Sequence, residues 1–285
     1  MIRAFHIAGR NPPMKRVDLT LITNKSLFAR RAEYAGIDRI MIDLERLGKA
    51  KRQYGRQFFL SDHHPSDIDL IRATLFVASV QVRVNPWHGQ SISEMNDVIS
   101  RGAQIVMLPM VRDREQAARF VDAVNGRART SLLIETANAL NDGDELLSVD
   151  GIDEAHIGLN DLAIDLGRES IFEALVDRLL DGIARIAAQR HLRFGFGAVA
   201  GRGCGALPID PEIIISEQAR LGASVAWLGR SYSRACEKLN RPELVNEIRW
   251  IRSTFEQPGN TEVNFRALQQ QLGFWKRLEA LAVAS

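Results

Sequence analysis

The segments Leu132-Leu133-Ile134-Glu135 and His156-Ile157-Gly158-Leu159-Asn160-Asp161 decide the fold of this chain. Each is a short apolar run that ends in a carboxylate. The same pattern occurs earlier, where Arg39-Ile40-Met41-Ile42 runs into Asp43-Leu44-Glu45 and Val80-Gln81-Val82 runs into Arg83-Val84-Asn85. Repeated strands that end in polar residues are typical of a parallel α/β barrel, whose active site lies at the carboxyl ends of its strands.

Strand-like and helix-like segments alternate around these runs. Short apolar segments predict eight strands, at Val17–Ile22, Arg39–Asp43, Ser79–Val84, Gln104–Leu108, Thr130–Ile134, Glu154–Gly158, Arg193–Phe196 and Ser224–Leu228. Helical periodicity and end signals predict the intervening helices, at Ser26–Ala35, Pro65–Phe76, Ile92–Ser100, Arg114–Val124, Ala137–Leu147, Ile171–Gln189 and Pro211–Leu221. Because eight strands close a barrel, we expect a (β/α)8 TIM barrel, with an open doubly wound sheet as the alternative.

The pattern changes after the eighth predicted strand. Arg241–Phe255 and Glu262–Val283 are predicted helices, separated by Gln257-Pro258-Gly259-Asn260. We therefore expect a barrel domain at residues 1–234 and a C-terminal helical extension at residues 235–285. Such an extension packs either on a neighbouring subunit or on its own barrel, and both arrangements are consistent with the sequence.

Composition excludes several classes of protein. The formal net charge of +2 gives no argument for binding nucleic acid. No segment approaches the ~20 consecutive apolar residues of a membrane helix, so no membrane association is expected. The two cysteines, Cys204 and Cys236, provide no disulfide framework, and the first residues lack an apolar stretch of signal-peptide type. We therefore expect a cytoplasmic protein.

Glu135 and Asp161 are the candidate metal ligands. A charged carboxylate at the end of a buried strand is costly unless it is paired or bound to a cation. Adjacent parallel strands lie ~4.8 Å apart, so two carboxylates at strand ends can share one ion. Hard oxygen ligands favour Mg²⁺ or Mn²⁺. The alternatives are a buried salt bridge from Glu135 to an arginine, and an N-cap role for Asp161 in the turn before Leu162.

Arg83, Asp43 and Glu45 are the candidate catalytic residues. Arg83 lies between two valines that point the other way, so we expect its guanidinium in the barrel mouth. There it can stabilise an oxyanion that develops on a metal-bound carbonyl. The alternative for Arg83 is an ion pair with Asp43 or Glu45. Either of these carboxylates is expected to hold water on the metal or to orient Arg83.

The histidines leave the proton-transfer group open. His63 and His64 lie in a polar loop, either exposed or within reach of the barrel mouth. His156 lies in the sixth predicted strand and is expected to be a satisfied core histidine. Proton transfer by His63, His64, Asp43, Glu45 or a metal-bound water is therefore compatible with the sequence.

Glycines surround the end of the seventh predicted strand, in Gly195-Phe196-Gly197 and Gly201-Arg202-Gly203-Cys204-Gly205. Such loops bind phosphate or carboxylate through backbone N–H groups in many barrels, although glycines also serve tight turns. Gly229-Arg230-Ser231, after the eighth strand, adds to the signal for an anion site.

The distribution of lysines limits the chemistry. No lysine occurs between Lys51 and Lys238. Schiff-base aldolases on this fold use a lysine nucleophile at a strand end, and strands three to eight cannot supply one. If the protein makes or breaks a carbon–carbon bond through an enolate, a metal ion is expected to act as the electron sink.

Five stretches together resemble the HpcH/HpaI aldolase and citrate lyase β-subunit family. They keep the family's order and spacing, and the resemblance runs from about residue 17 to residue 234. The stretches are Met41-Ile42-Asp43-Leu44-Glu45, Val82-Arg83-Val84-Asn85-Pro86, Gly102-Ala103-Gln104-Ile105-Val106-Met107-Leu108-Pro109-Met110, Leu133-Ile134-Glu135-Thr136 and Gly158-Leu159-Asn160-Asp161-Leu162-Ala163-Ile164-Asp165-Leu166-Gly167.

The resemblance implies a barrel that binds Mg²⁺ or Mn²⁺ through Glu135 and Asp161. The metal would chelate a 2-oxo acid such as pyruvate, or the carbonyl of a related acid or thioester, and Arg83 would stabilise the enolate. The resemblance also implies a homo-oligomer, a trimer or hexamer with exchanged C-terminal helices. The predicted substrate-binding residues are Pro109, Gly158, Asn160 and Gly197.

The second strand departs from the family's pattern. Class II pyruvate aldolases carry a histidine soon after the strand-2 acid, and lyases usually carry Glu-Asp, but this chain has Glu45-Arg46. We predict a metal-dependent carbon–carbon lyase or aldolase that acts on a 2-oxo acid. Two alternatives remain. One is a citrate-lyase-like or malyl-type lyase of a CoA or carrier-protein thioester, and the other is a non-catalytic barrel that binds metal and carboxylate.

Overall fold

The strands form one parallel sheet with the spatial order β7-β6-β5-β4-β3-β2-β1-β8. The computed structural model describes residues 16–52, 61–204 and 207–284. The eight strands each lie within one residue of their predicted bounds, at β1 (Asp18–Ile22), β2 (Arg39–Asp43), β3 (Ser79–Arg83), β4 (Ile105–Leu108), β5 (Arg129–Ile134), β6 (Glu154–Ile157), β7 (Arg193–Phe196) and β8 (Val225–Trp227).

The two ends of the sheet meet between β7 and β8. The backbone N–H of Ser224 donates to the Phe194 carbonyl at 2.8 Å. Gly195 permits this approach, because a Cβ atom there would lie 1.6 Å from the Val225 carbonyl oxygen. The sheet is therefore a nearly closed α/β barrel. The predicted TIM barrel is confirmed, and the alternative of an open sheet is wrong.

Helices surround the barrel and extend beyond it. They begin and end at α1 (Ser26–Ala35), α2 (Lys49–Arg52), α3 (Ser66–Thr74), α4 (Ser91–Ser100), α5 (Arg114–Val124), α6 (Ala137–Asn141), α7 (Gly143–Leu146), α8 (Leu159–Asp165), α9 (Glu173–Val176), α10 (Leu180–Gln189), α11 (Pro211–Arg220), α12 (Arg230–Glu237), α13 (Arg241–Glu256) and α14 (Thr261–Ala284). A short 3₁₀ turn covers Arg202–Cys204. Within the described ranges, no helix is both long enough and apolar enough to cross a membrane.

Two predicted helices are each divided in two. The prediction of one helix at Ile171–Gln189 is wrong, because Arg178 adopts a φ of +57° between α9 and α10. An L-residue in this left-handed region cannot continue a right-handed helix. The prediction at Ala137–Leu147 likewise becomes α6 and α7, with Asp142 between them. In both cases the two parts bury apolar residues against the same barrel, so the apolar pattern continues across the break.

Three short helices were missed at the carboxyl ends of strands. They are α2 after β2, α8 after β6 and α12 after β8. Each is at most eight residues long, too short for helical periodicity to separate it from a loop. Asp161 lies inside the first turn of α8, whose N-cap is Gly158, so the alternative of an Asp161 N-cap is wrong.

The predicted C-terminal helices are present as α13 and α14. They pack on their own barrel, mainly against α11, and α13 also contacts α1. Ile251 and Leu268 are fully buried in this packing. The predicted boundary between residues 234 and 235 falls within α12, and the exchange of these helices between subunits stays a prediction.

A buried ion-pair cluster lies at the amino-terminal end of the barrel. Arg39, the first residue of β2, is 1% exposed and contacts Glu154 at 2.7 Å and Asp18 at 2.9 Å. Arg193 approaches the same Asp18 oxygen to 2.7 Å. These residues begin β1, β2, β6 and β7, so the cluster joins strands from both sides of the closure.

Replacing Arg39 with Met is expected to lower the free energy of unfolding by about 3–5 kcal/mol, because the Glu154 carboxylate would stay buried without its closest partner. Urea-induced unfolding measures this change. Arg119→Met is the control. It removes a surface pair to Glu115 in which the Arg119 side chain is 59% exposed, and it should cost less than about 1 kcal/mol. Equal effects of the two substitutions would contradict a structural role for the cluster.

Candidate active site

A cavity of about 540 Å³ opens among the carboxyl ends of the strands. The sequence-predicted residues that line it are Arg83, Glu135, Gly158, Asn160, Asp161 and Gly197. Asp43, Glu45 and the buried Pro109 do not line it, although the first two contact residues that do. The cavity therefore collects the strand-end side chains of β3, β5 and β6, as a barrel of parallel strands requires.

Asp43 and Arg83 form a bidentate ion pair behind the cavity wall. Arg83 Nε donates to Asp43 Oδ1, and Nη2 donates to Oδ2, both at 2.8 Å. Burial alone would raise the pKa of Asp43, but the Arg83 guanidinium, with Lys49 and Arg230, holds that pKa well below its usual range. Of the two roles expected for Asp43, this geometry favours the orientation of Arg83.

Glu45 collects three cations. Its carboxylate lies 2.9 Å from Lys49 Nζ, 2.5 Å from Arg52 Nη2 and 3.3 Å from Arg83 Nη1. The pKa of Glu45 is below its usual value, because Arg83 and Lys49 outweigh the effect of burial. Glu45 is thus an ion-paired carboxylate that holds α2 against the barrel mouth.

Lys49 is the functional candidate that sequence reasoning missed. Its side chain is 3% exposed, lines the cavity and also lies 3.4 Å from Asp43 Oδ2. Burial and the nearby Arg83 charge lower its pKa. The absence of lysine from strands three to eight does not bear on Lys49, because it comes from the short helix after β2. The available signal was the short spacing between the oppositely charged Glu45 and Lys49, which form an ion pair although Glu45 precedes α2.

Glu135 is a buried carboxylate with few nearby groups that stabilise its negative charge. The backbone N–H of Met110 donates to its Oε1 at 2.9 Å, and no cationic side chain in the described parts of the chain lies within ion-pair distance. Burial, followed by the charges of Glu45 and Asp161, raises the pKa of Glu135 well above its usual range. The alternative of a direct Glu135–arginine salt bridge is therefore not what the structure contains.

Asp161 lies near Glu135 and is held by α2. Arg52 Nε approaches Asp161 Oδ1 to 3.3 Å. A Cβ atom at Gly158, three residues before Asp161, would lie 2.5 Å from Glu135 Oε2. Over the described ranges, no group of three or more Asp, Glu, His or Cys side chains is arranged around one point to hold a metal. The assignment of Glu135 and Asp161 as a pair of metal ligands therefore stays a prediction.

The histidines lie outside the cavity lining. His63 is buried, and its Nδ1 accepts the backbone N–H of Asp43 at 2.9 Å, while His64 is exposed. His156 stacks on Trp227 with ring centroids 4.0 Å apart, and neither of its ring nitrogens has a hydrogen-bond partner within the described residues. Burial holds its pKa well below the usual value, so His156 is neutral. The expectation of a core histidine holds, but packing rather than hydrogen bonding accommodates it.

Two backbone N–H groups of the glycine-rich loops form hydrogen bonds within the protein. The N–H of Gly229 donates to the Val199 carbonyl at 2.7 Å, and that of Gly203 to Glu247 Oε2 at 3.4 Å. Gly205 lies outside the described residues. The two engaged N–H groups are consequently unavailable to the predicted anion. Gly197, Gly229 and Arg230 nevertheless line the cavity.

Comparison with known proteins gives consistent matches. The family model described as HpcH/HpaI aldolase/citrate lyase matches residues 17–188. A hydroxypyruvate/pyruvate aldolase from Rhizorhabdus wittichii is 27% identical over 186 residues, which cover 55% of this chain and 72% of that protein. A 2-keto-3-deoxy-L-rhamnonate aldolase from Escherichia coli is 26% identical over 233 residues, which cover 70% and 76% of the two chains.

Solved structures share the fold. A crystal structure of an HpcH/HpaI aldolase/citrate lyase family protein from Burkholderia cenocepacia J2315 superposes with a TM-score of 0.60 at 16% identity. The superposition covers 82% of this chain and 95% of that one. At this level of identity the similarity extends to the barrel architecture alone.

The raised pKa of Glu135 predicts how stability depends on pH in metal-free protein. The folded state keeps a proton on Glu135 that the unfolded chain loses above the ordinary value of 4.5. This contribution is complete at low pH and is lost as pH rises through the folded pKa. Glu135→Gln cannot ionise, so its stability relative to wild type should increase with pH, by at most about 1.4 kcal/mol per pH unit.

Urea unfolding between pH 4.5 and 9, with a chelator present, measures this difference. Glu115→Gln, at a side chain that is 74% exposed, is the control and should show no such trend. Parallel stability curves for wild type and Glu135→Gln would contradict the raised pKa.

Proposed function

Because the chain belongs to the HpcH/HpaI aldolase/citrate lyase family, we propose that it is an aldolase-type carbon–carbon lyase that acts on a 2-oxo acid with Mg²⁺ or Mn²⁺. The names of its relatives, a hydroxypyruvate/pyruvate aldolase and a keto-deoxy-sugar-acid aldolase, support this reaction class. The observation that carries the proposal is the meeting of Glu135, Asp161 and Arg83 in one cavity.

Glu135 and Asp161 fit a divalent cation. Both are hard-oxygen donors, and Mg²⁺ in proteins is commonly bound by one or two carboxylates, with water and substrate oxygens completing its shell. Gly158 leaves room beside Glu135 that a larger residue would fill. The buried, poorly compensated Glu135 carboxylate is stabilised by added positive charge. When bound, the ion supplies Lewis-acid stabilisation of negative charge on the substrate oxygen.

Arg83 supplies a fixed positive charge to the same cavity. Its guanidinium is oriented by the bidentate bond to Asp43, so little reorganisation is required when charge develops on the substrate. Preorganised donors of this kind stabilise an oxyanion more effectively than mobile water. We assign to Arg83 the stabilisation of the enolate oxygen and to Asp43 the positioning of Arg83.

Lys49 is the proposed proton-transfer residue. In the cleavage direction, the neutral amine of Lys49 would accept the proton of the substrate's C4 hydroxyl as the C3–C4 bond breaks, and the ammonium group so formed would return this proton to C3 of the enolate. Lys49 lines the cavity, whereas Asp43, Glu45, His63 and His64 do not. Its ion pairs with Glu45 and Asp43 hold the ammonium form in place as a proton donor.

Exchange of the methyl protons of pyruvate in D₂O, followed by NMR, tests the proposal without knowledge of the second substrate. Exchange is expected to require Mg²⁺ or Mn²⁺ and to stop with EDTA. Glu135→Gln and Asp161→Asn should each lose metal affinity and slow exchange about a hundredfold or more, because loss of outer partners of metal ligands already costs ten- to a hundredfold.

Asp165→Asn is the matched control, since Asp165 lies on the same helix and accepts the backbone N–H of Ala137 outside the cavity. Circular dichroism checks that each variant is folded. Retained exchange in both ligand variants would refute the proposed metal site. A wild-type protein that binds metal without exchange would instead indicate a thioester substrate or a non-catalytic barrel.

Lys49→Met is expected to slow pyruvate exchange by about 10²–10⁴, the range typical for a general acid or base, with metal affinity maintained. Lys49→Arg keeps a cation beside Glu45 but cannot release its proton near neutral pH, so it should be similarly slow. The rate of pyruvate exchange by wild type should depend on pH below the ordinary lysine pKa of 10.5. This pH dependence should be absent from Lys49→Arg. Lys25→Met, at an exposed pair with Glu237, is the control. A fully active Lys49→Arg variant would limit Lys49 to a structural role.

A further inference from the structure

The cavity has two chemically different walls. The charged wall contains the side chains assigned above, from β3, β5, α2 and α8, together with Arg230 at the start of α12. The other wall comes from the segments after α8 and after β7. Every described side chain that these two segments contribute to the cavity lining is apolar.

Six residues give the second wall its bulk, namely Ile171, Phe172, Leu207, Pro208, Ile209 and Ile214. Phe172, Ile209 and Ile214 are nearly inaccessible to solvent and join the core, so this wall is anchored. Ile171 and Leu207 are partly accessible and pack against the same core. An anchored apolar wall beside a charged cluster favours a ligand with one charged end and one apolar end.

We propose that this apolar wall binds the acceptor half of the substrate, and that the acceptor is an aldehyde with an aromatic or branched aliphatic group rather than a polyhydroxylated chain. This inference rests on the proposed function, since the 2-oxo acid half would occupy the charged wall. Forming the bond joins C3 of the enolate to the aldehyde carbon, and the aldehyde oxygen takes up one proton. Cleavage reverses these steps and needs no further co-reactant.

Hydrogen bonding explains why a hydroxylated acceptor is disfavoured. A buried hydroxyl that leaves water without gaining a partner loses the free energy of its hydration. The two segments present no polar side chain to the cavity among the residues that the structure describes. An apolar group, in contrast, gains from the area removed from water. The volume of about 540 Å³ is within the range of cavities that enclose a small organic ligand.

Aldol addition of pyruvate to four aldehydes tests the preference in the metal-loaded enzyme. Benzaldehyde and 3-methylbutanal are expected to give a kcat/KM at least tenfold higher than glycolaldehyde and glyceraldehyde. Leu207→Asn and Ile171→Asn should lower this ratio at least fivefold, while pyruvate exchange stays within twofold of wild type. Leu27→Asn, at a residue 83% exposed on α1, should leave the ratio unchanged. Equal or higher kcat/KM for the hydroxylated aldehydes, with exchange intact, would overturn the inference.

A binding measurement separates failure of this inference from failure of the proposed function. Saturation-transfer NMR on the wild-type protein should detect binding of benzyl alcohol and not of glycerol, with at least fivefold weaker benzyl alcohol binding in Leu207→Asn. If pyruvate exchange is absent but this binding is found, the proposed reaction fails and the apolar site stands. If benzyl alcohol does not bind, or binds Leu207→Asn equally well, the apolar site is refuted.

Discussion

The bidentate ion pair between Asp43 and Arg83 is the interaction on which the barrel mouth depends. It joins the ends of neighbouring strands β2 and β3 where both are buried. Asp43 also accepts from Ser61 in the following loop and from Arg230 at the start of α12, both at 2.9 Å. One carboxylate thus ties together the segments that surround the cavity. Because breaking a buried pair leaves an uncompensated charge, loss of either partner is expected to be strongly destabilising.

The distribution of charge around that pair sets the chemistry of the site. Lys49, Arg83 and Arg230 each form an ion pair with Asp43, and Lys49 and Arg83 also pair with Glu45, the second acid after β2. Glu135 receives only a backbone N–H as hydrogen-bond donor among the described residues. Among the described residues, Glu135 is therefore the buried acid of this site without a cationic partner, and it lies beside Asp161. In the function proposed above, a divalent cation would lie beside Glu135 and the negative charge of the oxo acid beside Arg83.

Stability and activity are placed at opposite ends of the barrel. The amino-terminal end is closed by the buried Arg39 cluster, which involves no cavity residue. The carboxyl-terminal end carries the charged wall and the apolar wall of the cavity. This separation, general for the fold, allows the segments after α8 and β7 to vary in size and polarity without disturbing strand pairing. In the function proposed above, those segments would set the acceptor preference, and the strand ends would carry the enolate chemistry.

Local sequence patterns were sufficient to predict the eight strands, the barrel and the carboxylates at the ends of β5 and β6, because strand-length apolar runs and the residues that end them are local features. The pairing of charges, in contrast, depends on contacts between residues far apart in the chain. The positions of Lys49 and Arg52 depend on a four-residue helix that is too short to show periodicity. The break at Arg178 depends on a left-handed residue that no glycine or proline indicates in the sequence.

The apolar wall likewise joins residues 171–172 to residues 207–214, which meet only because β6 and β7 are neighbours in the closed sheet. Local patterns therefore specify the scaffold, whereas long-range packing specifies the site.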